Sequence, residues 1–82
     1  METLIRPRGF IAVEVIASSP GNPKRPILLR SKTIDGVGLA PNEYIQLGAE
    51  SYISFVSGNL SYSTESMEAI AVKIAEAEKE ND

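Results

Sequence analysis

The sequence predicts a small α+β domain: an antiparallel sheet of four or five strands covered by one C-terminal helix. Three observations carry this. Residues 10–17, FIAVEVIA, are dense in β-branched and aromatic types. SYISFVSGNLSYST, 51–64, has the form of a hairpin. Directly after it, ESMEAIAVKIAEAEKE acquires helical periodicity.

In FIAVEVIA, Ile11, Val13 and Val15 fall on one face and Phe10, Ala12, Glu14 and Ile16 on the other, which suits a central strand. SSPGNPKRP, 18–26, holds three Pro, one Gly and one Asn, and is expected to be an exposed, mobile loop. ILLR, 27–30, resumes as a strand and closes a long-looped hairpin. In SKTIDGVGLAPNEY, Asp35-Gly36, Gly38 and Pro41 break regularity. The spacing of Ile34 and Val37 suits either a short helical turn or an irregular strand with one face in the core. Tyr44–Leu47, YIQL, reads as a further short strand, with Gly48-Ala49-Glu50 turning into the strand 51–56.

Ser57-Gly58-Asn59 supplies residues that tolerate positive φ in a tight turn, and 60–64 returns with Leu60 and Tyr62 on one face. The helix is predicted over 66–79. Ser66 caps its free amides and Glu68 suits its positive end, whereas Ala69 stands where a full capping box would place Glu or Gln. Met67, Ile70, Ile74 and Ala77, flanked by Ala71, form the stripe that meets the sheet. Val72 faces nearly the opposite way. The acidic end EAEKEND opposes the helix dipole, so a weak final turn is expected. The whole chain reads as one domain, with 1–8 and 80–82 flexible.

ILLRSKTIDGV and YISFVSGNLSYSTESMEAIAVKI together resemble small bacterial and phage proteins of the flagellar-operon FlbD or swarming-motility type. Gly58, Glu65, Ser66, Glu68, Ile70 and Ile74 match that strand–Gly–strand–Glu-Ser–helix pattern over residues 27–75, with an insertion at 38–50. The pattern's turn Asn is missing, and Arg30-Ser31 occupies that region. The resemblance implies a fold; it brings no catalytic residue and no cofactor.

Composition narrows the function classes. The 82 residues include no His and no Cys, so the common nucleophile–base pairs and zinc sites have no side chains to build them. The chain has no GxGxxG and no Walker loop. Glu65 and Glu68 read as a helix-start environment, not a catalytic pair. A non-enzymatic protein without cofactor or metal is expected. The longest apolar run, Phe10 to Val13, is too short for a bilayer, and Glu14 interrupts the signal-like start, so no membrane association and a cytoplasmic location are expected.

Charge is segregated. Residues 1–32 hold six basic residues against two acidic, a net of +4, and residues 33–82 hold two against nine, a net of −7. A protein-interaction or self-assembling module, acting on a protein partner or as a homodimer, is the reading that follows. Lys24, Arg25, Arg30, Lys32 and Val72 are its candidate contact residues. Nucleic-acid binding through the basic half is the alternative. A sequence pI near 4.9 and only five aromatic residues count against it.

Overall fold

The computed structural model describes residues 6–17, 21 and 23–80. The elements are β1 (Phe10–Ile16), β2 (Lys24–Arg30), a 3-10 turn (Ser31–Thr33), β3 (Ile34–Leu39), α1 (Asn42–Ile45), β4 (Ser51–Phe55), β5 (Leu60–Ser63) and α2 (Met67–Glu80). The strands form one antiparallel sheet in the order β2-β1-β5-β4-β3, and α2 packs on β1, β3 and the 3-10 turn. The α+β class expected from the sequence is therefore the observed one.

Connectivity makes the sheet curl. Its two edges are β2 and β3, which only Ser31–Thr33 separate in the chain. Edges of a flat five-stranded sheet lie roughly 19 Å apart. A three-residue 3-10 turn advances only about 6 Å. The edges must therefore bend toward each other at this end. Backbone bonds fix the turn on both sides: Ser31 N–H donates to the Gly9 carbonyl at 2.8 Å, and Val56 N–H donates to the Thr33 carbonyl at 2.9 Å.

The inner face of the curl holds the core. Ile11, Val13 and Val15 of β1 and Ile53 of β4 pack with Ile70 and Ala77 of α2. Ile27, Leu29, Ile34, Val37, Phe55 and Ile74 pack around them, half-buried. Each fully buried aliphatic side chain contributes about 1.5–3 kcal/mol over an exposed one. The alternation in FIAVEVIA places Ile11, Val13 and Val15 on one face, which is the buried one, and the helix stripe predicts Ile70 and Ala77. A bulge between Ile34 and Gly36 resolves the odd spacing of Ile34 and Val37: the extra residue lets side chains three apart share the inner face.

Local chemistry sets the remaining boundaries. Gly58 takes φ 94° in the β4–β5 turn. The Ser66 hydroxyl accepts the Ala69 N–H at 3.2 Å, which is the expected cap.

Two expectations are corrected. Residues 24–26 belong to β2 and not to a loop; Pro26 is tolerated because β2 is an edge strand. Residues 18–20 and 22 of the expected mobile loop lie outside the described residues. Residues 44–47 are not a strand: Tyr44 and Ile45 close the helical turn α1, whose first bonds run from the Tyr44 and Ile45 amides to the Pro41 carbonyl. α2 is helical through Glu80, both of whose carboxylate oxygens accept from Arg6, at 2.6 and 2.7 Å. Residues 1–5 and 81–82 of the expected flexible ends lie outside the described residues.

Candidate functional site

A groove runs between the β3 edge and α2. Ile34, Val37, Ala71, Ile74 and Ala75 give it apolar walls, Asp35 and Glu78 are the charged residues lining it, and it encloses about 460 Å³. Each element contributes for a local reason. The helix presents Ala at 71 and 75, four apart and so on one face. Among the described residues β3 has β4 on one side and no strand on the other, so its outer backbone groups are unpaired by any strand, and Ile34–Val37 line the groove. Among the described residues, no basic side chain lines it.

The hairpin register decides where the predicted contact residues go. Ile16 opposes Lys24 at one end of β1–β2, and Phe10 opposes Arg30 at the other. Six residue steps of strand separate those ends by about 20 Å. The four basic candidates therefore form two pairs. Lys24 and Arg25 sit at the loop end, where the Lys24 ammonium lies 3.1 Å from the position a Cβ on Gly48 would take. Arg30 and Lys32 sit at the 3-10 turn, where Arg8 joins them around a concavity of about 130 Å³. Val72 is 57% exposed on α2 and lines none of these cavities.

The groove residues were not among the sequence-based candidates. Ile34, Val37 and Ile74 read as core, and Ala71 as its flank. Only the strand order, which makes β3 an edge, turns them into the rim of a groove.

A third cavity of about 270 Å³ lies between β1 and α2, lined by Arg6, Phe10, Ile11, Ala12, Lys73 and Glu76. Its cations are engaged in structure: Arg6 with Glu80, and Lys73 with Glu65 at 2.5 Å and the Ala12 carbonyl at 2.7 Å. On the outer sheet face, the Tyr44 and Tyr62 rings stack with centroids 3.6 Å apart. Burial raises the Tyr62 phenol above its ordinary pKa, and the Tyr44 phenol adds to the shift. The Tyr52 ring lies over Gly38, 2.4 Å from the position a Cβ there would occupy. Tyr44 and Tyr52 are thus packed against their own sheet and are not free to stack on a base.

Among the described residues, no three Asp or Glu side chains converge to hold a metal ion, and no helix is long and apolar enough to cross a membrane. No protein-family model, no curated protein and no solved structure matches the chain.

Proposed function

We propose that this protein is a non-catalytic interaction module, acting in the cytoplasm, that takes an extended basic segment of a protein partner along β3. The observation that carries this is the open strand edge beside an apolar groove whose charged lining residues are Asp35 and Glu78. An added strand bonds through its backbone, while its alternate side chains drop into the groove against Ala71 and Ala75. Two carboxylates lining the groove favour Lys or Arg on the incoming segment. The absence of His and Cys from the chain supports the non-catalytic reading, and the absence of Cys suits a reducing compartment.

Charge argues against a second copy as the occupant of this groove. Pairing β3 with β3 across a two-fold axis would bring the Asp35 and Glu78 carboxylates of both copies to one seam. A homodimer would draw on the face carrying Val72 instead, and sedimentation of a Val72→Glu variant separates the two arrangements.

The test is a titration of the ¹⁵N-labelled protein with a synthetic strand-forming peptide of alternating Val and Lys. Saturable shifts are expected along 34–39 and 71–78, weakening as salt rises. Ala75→Trp should fill the groove and abolish them; Ala75 is exposed, so the fold should survive. Glu78→Lys should weaken them. Shifts that ignore both substitutions, or that centre on β2, would reject the groove as the binding site.

A further inference from the structure

Where β1 begins and β2 ends, three cations are held together. Arg8 lies in the turn before β1, Arg30 closes β2 opposite Phe10, and Lys32 lies in the 3-10 turn. With Gly9 and Phe10 they line the concavity of about 130 Å³. Their backbone positions are fixed: Phe10 N–H donates to the Pro7 carbonyl at 3.2 Å, and Ser31 N–H to the Gly9 carbonyl at 2.8 Å. The Arg30 guanidinium lies over the Phe10 ring, 5.2 Å from its centroid, which restrains its long side chain.

Among the described residues, none of the three has a carboxylate within ion-pairing distance. Acids are not scarce, since the chain holds eleven against eight basic residues. Glu80, whose charge also interacts with that of Arg8, is hydrogen-bonded by Arg6 and by the Gly9 amide at 3.3 Å. Glu80 attracts Arg8 from beyond ion-pairing distance, but three like charges around one concavity still repel one another, and a compact anion there relieves the repulsion.

We propose that this concavity binds a single phosphate group, either inorganic phosphate or the phosphate of a small phosphomonoester. Two guanidinium forks and an ammonium match the several oxygens and double charge of that group better than they match one carboxylate. A nucleic-acid strand is disfavoured on two counts. One face of Phe10 is already covered by Arg30, which removes it as a stacking surface for a base. The acidic end of α2, with Glu76, Glu78 and Glu80, is tied to this region through the Glu80–Gly9 bond and repels a long polyanion. The site is separate from the β3 groove, and its test uses different residues.

The experiment titrates the ¹⁵N-labelled protein with inorganic phosphate, with glycerol phosphate and with a short single-stranded DNA, against sodium chloride at matched ionic strength. Saturable shifts at Gly9, Phe10, Ser31 and Lys32 are expected for both phosphates, with half-saturation in the roughly millimolar range. Tighter binding of glycerol phosphate identifies an ester as the better ligand, and equal binding identifies the free anion. The Arg30→Gln/Lys32→Gln variant should weaken binding about tenfold or more. The Lys24→Gln/Arg25→Gln variant, with the same loss of charge at the far end of the hairpin, should leave it unchanged. Both pairs are exposed, and the free variants should give native-like spectra. Equal shifts with chloride, equal loss in both variants, or DNA binding tighter than phosphate would overturn the proposal.

Discussion

Glu80 shows how much a single side chain can hold at the end of a helix. Arg6 donates to both its oxygens and the Gly9 amide donates to one, and these bonds lower its carboxyl to about 2. A carboxyl depressed in the folded state adds stability above its ordinary value of 4.5, and that contribution is lost as pH falls through about 2. Glu80→Gln should therefore lower the melting temperature at pH 7, with the gap to the parent protein narrowing below about pH 4.5 and closing near pH 2. Both side chains are partly exposed, 42% and 30%, so added salt should shrink the gap at pH 7 as well. A gap that ignores pH would mean that Glu80 acts through packing. Nothing in the sequence marks this pair, because its members stand 74 residues apart. The Ser66 cap is legible because donor and acceptor lie three residues apart on one turn.

At the scale of elements, the most instructive contact is one that completes a strand. β1 pairs with β5 only at Val15–Ser63. Further along β1, side chains stand in for a neighbouring strand. The Glu14 amide donates to Glu65 Oε2 at 2.9 Å, the Ala12 carbonyl accepts from Lys73 Nζ at 2.7 Å, and Glu65 and Lys73 pair with each other. Buried Ser63 and Ser51 tighten the same junction, their hydroxyls donating to the Glu14 and Glu65 carbonyls at 2.7 Å. Lys73→Met should leave the Ala12 carbonyl and Glu65 without this partner and cost about 1–3 kcal/mol in urea unfolding. Glu65→Gln keeps an acceptor for the Glu14 amide and should cost less. Equal costs would show that charge alone matters here. From the sequence, Glu65 reads as part of a helix-start environment. The helix and its register were readable from periodicity, but the ladder gap exists only once β5 has bent away. The reading of YIQL as a strand failed for a different reason: four residues of alternating polarity suit a strand or a helical turn equally, and the Pro41 carbonyl settles it by accepting two amides.

For the molecule as a whole, the class and the inner face follow from local pattern, whereas the sites follow from topology. Segregated charge suggested one basic pole. The seven-residue register of β1–β2 instead sends its basic residues to opposite ends. The groove likewise depends on β3 being an edge, which no window of sequence reports. The three-residue link that curls the sheet also spares the chain a long connection between its edges. The single-pair junction of β1 with β5 has a further consequence, for how the native state breathes. Hairpin β1–β2 and meander β3–β4–β5 each close through contacts near in sequence, and they meet along a seam made by one strand pair, a few side chains and α2. Such a seam separates cooperative units with their own opening free energies. In hydrogen–deuterium exchange, amides of β1 and β2 should lose protection together, and those of β4 and β5 as a second group. Lys73→Met should accelerate exchange in the hairpin more than in the meander. One uniform rate for all five strands would mean that the seam is as strong as the sheets it joins.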